Sequence, residues 1–447
     1  MKKISLHNFR GFDTFEWSFN SGINLIVGDN ASGKTSLLCA CRLAAGSFFA
    51  GFNDENTVWP GPESSDFSEV IVQGVRKPFQ PIEIDFELDA EMFPYLPEPL
   101  THKNTYPLNP ALCNTYKLQK KSPKNTKQLS SGILPYKRYA KQLQFEEQQN
   151  LPFPLFCYFS TEDIHMSRKI TSEKFREEYL KRSFGYYMCL DSNGLLPYWE
   201  RRLLVLKEAD EKCEEVETVT NSLLKALGEE GCDILKNIHV RPMRGKIYYE
   251  LTDGRMVDSV NLSDGYKRLI NLVINLAFRS YILNRTPFGK DSGRETHGIV
   301  MIDEVDLHLH PALQVKALPA LTKTFPGLQF IVTTHSALVM SSVQNSGKDT
   351  VKRLMFTNGE GYKCEPIDTF GQDASSIMRN ILEVYDRDIN VQNELDRLYD
   401  FIDNDDMKEA HRLLAQLKER FSDLPDLAKA SVTIDFMSDE NDNNYQK

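Results

Sequence analysis

The 447-residue chain has no hydrophobic run approaching the about eighteen apolar residues that a membrane-spanning helix needs. After Met1-Lys2-Lys3 the sequence alternates instead of forming the apolar stretch of a signal peptide. A cytoplasmic protein with no membrane partner is therefore expected. Cysteine is sparse: eight residues lie scattered, Cys39-x-Cys41 is the one close pair, and no C-x-x-C occurs. That spacing disfavours both a zinc site and a disulfide framework. A surplus of positive charge is missing too. A net charge of −10 argues against wholesale coating of nucleic acid, yet Pro99–Phe145 contains no Asp or Glu.

What is present reads as a soluble globular protein. The hydrophobic share is 41% and the charged share 26%. The length exceeds one compact core, so about two or three subdomains are expected. Gly28-Asp29-Asn30-Ala31-Ser32-Gly33-Lys34-Thr35 fits G-x-x-x-x-G-K-[ST], the phosphate-binding P-loop. The apolar run Ile23–Val27 precedes it and a helix-like stretch, Ser36–Ala45, follows. Glycines let backbone N–H groups turn toward phosphate oxygens, and the helix N-terminus adds a favourable dipole. Gly28, Asn30, Ala31, Ser32, Gly33, Lys34, Thr35 and Ser36 are the candidate contacts to ATP. Lys34 would reach the β- and γ-phosphates, and the Thr35 hydroxyl would ligand Mg²⁺.

Three further motifs follow. Ile299–Ile302 suits a buried parallel strand, and it ends in Asp303-Glu304. Asp303 at such a rim can hold Mg²⁺, and Glu304 can act as general base on the attacking water. Leu262-Ser263-Asp264-Gly265-Tyr266 opens a long amphipathic helix running to about Leu283. Ser263 and Gly265 offer a hydroxyl and an uncovered N–H to an anion. Phe330–Thr334 is another buried strand and delivers His335, then Ser336, to the same rim, where His335 could hydrogen-bond the γ-phosphate.

In this order the four motifs resemble the ATP-binding-cassette (ABC) ATPases of the SMC/RecF-like (AAA_21/AAA_15-like) branch. Asn8-Phe9-Arg10-Gly11-Phe12 resembles that branch's first strand and turn, which adds Arg10 to the nucleotide contacts. Leu262-Ser263-Asp264-Gly265 resembles the signature motif, with Asp264 replacing the more usual glycine. Val305–Pro311 is similar to the D-loop, and His335 to the switch histidine. Phe156–Glu162 and Gln73 are the two candidates for the Q-loop. The resemblance implies an α/β fold: a P-loop ABC-ATPase core, an antiparallel β-subdomain, a helical insertion and a C-terminal helical segment. It also implies that signature residues contact ATP on a second subunit, so a working site needs a head-to-tail homodimer.

The expected divisions are 1–98 for the P-loop lobe and 99–150 for a basic insertion. A helical insertion with linking strands spans 151–260, and the second ATPase lobe 261–368. Helices at 369–437 and a disordered tail at 438–447 complete the chain. The basic insertion interleaves Lys103, Lys117, Lys120, Lys121, Lys124, Lys127, Lys137, Arg138 and Lys141 with four tyrosines. That pattern suits phosphate contacts with base stacking, whereas its five prolines between Pro99 and Pro135 suit an irregular loop or docking surface. Glu69–Val75, Pro81–Leu88 and Lys246–Leu251 alternate as antiparallel strands, the last before a turn at Asp253-Gly254. Trp199 to about Glu230 reads as one or two charged helices.

The helix around Asp373-Ala374-x-Ser376-Ile377 and those after it resemble the ATPase subunits of Septu/retron-type anti-phage systems, the PtuA family. Such subunits form dimers and higher homo-oligomers and act with an HNH nuclease encoded beside them. The resemblance implies that this chain regulates an effector nuclease and cuts nothing itself. A RecF-like DNA-repair ATPase is the alternative reading. An OLD-type nuclease would need a D-x-D pair at a strand end, but Asp386-Arg387-Asp388 and Asp403-Asn404-Asp405 lie in helical surroundings. The first strand and the large insertions disfavour a transporter cassette.

Overall fold

A computed structural model describes residues 1–52, 56–57, 61–67, 71–72, 75–76, 82–88, 101–106, 129–131, 150–161, 181–191, 195–210, 213–384, 387–421 and 424–444. Strands β1 (Lys3–Phe9) and β2 (Phe12–Ser18) alternate buried and more exposed residues, the pattern of an antiparallel sheet with one covered face. Strand β3 (Ile23–Val27) is buried at every position, as a central parallel strand requires. Helix α1 (Lys34–Gly46) follows the P-loop and begins two residues before the expected Ser36. The short strands β4 (Ile71–Val72) and β5 (Val75–Arg76) pair only with each other. Strand β6 (Ile82–Glu87) instead joins β1.

Two pieces of the basic insertion enter this sheet as β7 (Thr101–Tyr106) and β8 (Leu129–Ser131), giving the order β2-β1-β6-β7-β8. Most of the insertion's basic residues lie outside the described residues, as does Gln73. Strand β9 (Leu155–Phe159) returns to the centre. Helices α2 (Leu196–Ala209) and α3 (Glu214–Leu227) lie where one or two helices were expected, the first beginning three residues before Trp199. They lead to β10 (Leu235–Arg241), β11 (Lys246–Leu251) and β12 (Met256–Val257), a separate antiparallel sheet.

Helix α4 (Asp264–Phe288) passes the expected end near Leu283 by crossing a kink at Asn284, which leaves helical geometry at φ −130°. The Asn284 side chain makes the kink tolerable: it accepts from Phe153 N (2.7 Å) and donates to Phe153 O (2.9 Å) and Thr296 Oγ1 (2.9 Å). Strand β13 (Gly298–Ile302), helix α5 (Pro311–Thr324) and strand β14 (Leu328–Thr333) follow. Strands β15 (Thr350–Thr357) and β16 (Gly361–Pro366) close the central sheet in the order β16-β15-β3-β14-β13-β9. All its neighbours are parallel except β15–β16. The expected α/β class is thus present, with a parallel core, an antiparallel β-subdomain and a helical insertion.

The chain divides into two units, Met1–Ala374 and Ser375–Lys447. Helix α6 (Ala374–Asn380) straddles the division. In the second unit, α7 (Ile389–Asp403), α8 (Met407–Arg420) and α9 (Pro425–Asn444) surround their own core. Leu395, Leu398, Ile402, Leu414, Leu417 and Ile434 are buried there, at the helical spacing that brings one stripe of each helix inward. Helix α9 runs to Asn444, so its backbone is helical past Ser438, where loss of order was expected.

Candidate functional site

The P-loop bends as its sequence demands. Gly28 has φ 148°, Gly33 φ 92° and Ala31 φ 65°, the first two in a region that side chains rarely enter. A Cβ on Gly28 would strike the Leu354 carbonyl oxygen, and one on Gly33 would lie 2.9 Å from Phe12 Cζ. The loop cannot therefore carry side chains at either place. Lys34 is 6% exposed and its Nζ donates to Gly28 O (2.9 Å) and Asp29 O (2.8 Å). Burial lowers its pKa, while Asp303, Asp29, Glu304 and Asp306 act in the opposite direction. Lys34 thus lies within the field of all four carboxylates.

The strand motif meets the P-loop there. Asp303, 4% exposed, accepts from Thr333 Oγ1 (2.6 Å) and from Thr35 Oγ1 (3.3 Å). Its own N donates to Phe159 O (2.9 Å), so the end of β9 also lies beside it. Glu304 is half-buried at φ 47°, and its N donates to Thr333 Oγ1 (2.8 Å). A left-handed glutamate is a strained conformation kept by its surroundings. Arg268 supplies part of that restraint: Nη2 donates to Asp303 O (2.6 Å) and Glu304 O (3.0 Å).

The rest of the rim is less enclosed. His335 is exposed at the end of β14. Beside it Thr334 Oγ1 donates to Asp306, and Ser336 Oγ donates to Gln314 Oε1 (2.6 Å). Arg10 sits in the β1–β2 turn at φ 52°, where Nε donates to Asp66 Oδ1 (2.8 Å). Ser263 caps α4 by accepting from Tyr266 N (3.4 Å) and is otherwise exposed. Gly265 is packed so closely that a Cβ would meet the His308 carbonyl oxygen, which ties the signature turn to Val305–Pro311. Among the described residues no hydrogen bond joins Ser263 or Gly265 to the P-loop. One copy of the chain brings together Lys34, Thr35, Asp303 and Glu304, and leaves the signature apart.

The donor set fits a triphosphate with a hard divalent cation. Ser32 is 5% exposed, and its Oγ has no hydrogen-bond partner among the described residues. A buried hydroxyl in a glycine cradle can serve an anion there. Thr35 Oγ1 and Asp303 supply the oxygen ligands that Mg²⁺ accepts. Sequence reasoning missed three residues: Thr333, Arg268 and Arg353, whose Nη2 lies 4.0 Å from Asp29 Oδ2. A threonine ending an apolar strand and an arginine on a buried helix were the available signals. Elsewhere, Asp388 caps α7 and Arg387 pairs with Asp426 (2.9 Å), while Asp386 lies outside the described residues.

Residues 3–230, just over half of the chain, match the AAA_23 family model, an AAA domain. The Retron Ec83 probable ATPase of Escherichia coli is 38% identical over 128 residues, 29% of this chain and 22% of that protein. The Septu protein PtuA of Bacillus mycoides (strain KBAB4) is 38% identical over 78 residues, 17% of this chain and 10% of its own. The DNA replication and repair protein RecF of Cytophaga hutchinsonii is 42% identical over 65 residues, 14% of this chain and 16% of that one. The chain therefore aligns with less than a quarter of each of these relatives' length. It resembles the SMC/RecF-like ATPases, PtuA among them. Among the described residues no helix is long and apolar enough to cross a membrane.

Proposed function

The chain belongs to the AAA domain family, and we propose that it binds and hydrolyses ATP as an ABC-type ATPase of the SMC/RecF kind. The contact that carries this reading is Thr35 Oγ1 to Asp303 Oδ1, 3.3 Å, with Glu304 the next residue. It joins the P-loop to the acidic strand end, the junction at which a metal-bound triphosphate is handled. Bound MgATP supplies the phosphoanhydride and a cation that neutralises charge on its oxygens. Lys34 and the P-loop N–H groups hold the β- and γ-phosphates. Thr35 and Asp303 orient the cation, and Glu304 takes a proton from the attacking water. His335 donates toward the γ-phosphate from the neighbouring strand end.

Two copies pack head-to-tail in this reading, with Ser263 and Gly265 of one facing the P-loop of the other. Support comes from the exposed Ser263 at the start of the long α4 and from its lack of a bond to the P-loop of its own chain. Nucleotide then acts as glue between copies, and hydrolysis loosens them. The chain itself cuts nothing. Its nucleotide state controls an effector nuclease of HNH type in anti-phage defence, a role supported by the similarity to Septu PtuA.

A second reading, a DNA-binding repair ATPase working without a nuclease, is favoured by the RecF similarity. One experiment separates them. The purified chain is given ATP, Mg²⁺ and plasmid DNA, and phosphate release, mass by light scattering and DNA integrity are followed. Phosphate release with an ATP-dependent rise in mass and intact, unbound DNA supports the first reading. ATP-dependent DNA binding without a partner supports the second. DNA cleavage by the chain alone sinks both.

A further inference from the structure

The turn Ser259–Asn261 leads through the buried Leu262 into Ser263 and is held from two sides. On one side Asp258 accepts from Lys246 Nζ of β11 (2.7 Å) and from Asn261 Nδ2 (2.7 Å). On the other, Glu200 of α2 accepts from Ser259 Oγ through Oε2 (2.7 Å). Its second oxygen, Oε1, accepts from the hydroxyl of the fully buried Tyr249 on β11 (2.9 Å). Two hydroxyls thus converge on one carboxylate. An amide offers one accepting oxygen and an NH2 that only donates, so in its place one of the two hydroxyls would have to turn and accept.

Helix α2 is a rigid place from which to hold that turn. Trp199, one residue before Glu200, donates to Asn275 Oδ1 (2.7 Å) and stacks on Phe278 of α4 at 4.8 Å and 16°. Arg202, two residues after it, forms a buried bidentate pair with Glu215 of α3 (2.6 and 2.9 Å). A carboxylate in partly buried surroundings is costly unless fully hydrogen-bonded. Burial raises the pKa of Glu200, and the Ser259 and Tyr249 hydroxyls draw it back down. One oxygen satisfies the buried Tyr249 hydroxyl, and the other is left to hold Ser259, just ahead of the signature.

We propose that Glu200 is a positioning residue for the signature motif: by fixing Ser259 to α2 it sets the angle at which Ser263 is presented to the second copy's nucleotide. The proposal rests on the head-to-tail dimer reading. It assigns the helical insertion a role at the nucleotide site. Trp199 ties α2 to the middle of α4, and the Glu200 carboxylate ties it to the turn that precedes Ser263.

The test uses the full chain carrying Glu304→Gln, with Ser259→Ala, Glu200→Ala and Glu200→Gln added singly. A fluorescent ATP analogue measures nucleotide affinity in dilute protein, and sedimentation velocity with ATP and Mg²⁺ measures dimerisation. Ser259→Ala and Glu200→Ala should keep nucleotide affinity and weaken dimerisation on the order of tenfold or more. Glu200→Gln, retaining one acceptor, should fall between them and the parent. Unchanged dimerisation in both alanine variants overturns the proposal. So does a parallel fall in nucleotide affinity, which marks a merely structural role. If Glu200→Ala fails to fold, Ser259→Ala decides alone. A Glu304→Gln parent that never dimerises with ATP refutes the dimer reading itself, and this role with it.

Discussion

Around the P-loop, Lys34, Asp303 and Thr333 are buried and hydrogen-bonded, whereas Ser263 of the signature stands exposed, its Oγ accepting from Tyr266 N at the start of α4. The contrast follows from what each region must do. Charges that handle a phosphoanhydride act strongly only where water is excluded and donors are already aimed. A group that serves another copy must stay on the surface until that copy arrives. In the proposed dimer the first region is finished within one chain, and the second is completed across two. Glu304 stands at the border, half-buried and strained, with its backbone held by Thr333 and Arg268.

The contrast breaks most sharply at Glu304. Glu304→Gln keeps the side chain's shape and removes its basicity. Hydrolysis should fall by about 10²–10⁴-fold with ATP binding unchanged. Phosphate release under single turnover checks it, and parent-like turnover would mean another group is the base. Lys34→Ala comes next. Removing the buried ammonium should cost about 2–5 kcal/mol of ATP affinity. Equilibrium binding of a fluorescent analogue reads this directly, and retained affinity would sink the P-loop assignment. Ser263→Arg tests the exposed region. Nucleotide affinity of the single copy should hold while the ATP-dependent dimer weakens at least about tenfold. A variant that dimerises like the parent would refute the idea that signature and P-loop meet in trans.

The same contrast explains what could be seen in the sequence. Strands buried on both faces are continuous apolar runs, so β3, β13 and β14 and the residues at their ends were legible. Lys246–Leu251 and its turn were legible through alternation. The partner of Pro81–Leu88 was not, because β6 pairs with β1 across more than seventy residues of chain, and alternation carries no information about partners. Thr333, Arg268 and Glu200 escaped for a related reason. Each acts through a hydrogen bond to a residue distant in sequence, and nothing in the local pattern marks such a donor or acceptor. Arg10 was read as a nucleotide contact; the structure shows its bond to Asp66, which no spacing revealed.

The smallest effect should come from Arg268, which links the two regions within one chain. It lies five residues after Ser263 on α4, yet its guanidinium donates to the carbonyls of Asp303 and Glu304. Arg268→Met keeps a long unbranched stem for packing and deletes the donors. Two carbonyl oxygens then lose a charged partner, at a cost of about 1.5–3 kcal/mol in stability. Glu304, freed to relax from φ 47°, should lose alignment and turnover should drop about tenfold, while Lys34 continues to bind nucleotide. Paired measurements of turnover and of nucleotide affinity decide it. A variant that loses stability alone would make Arg268 a packing element. A variant that also loses turnover at constant affinity would show that the signature helix holds the catalytic strand end of its own chain in shape.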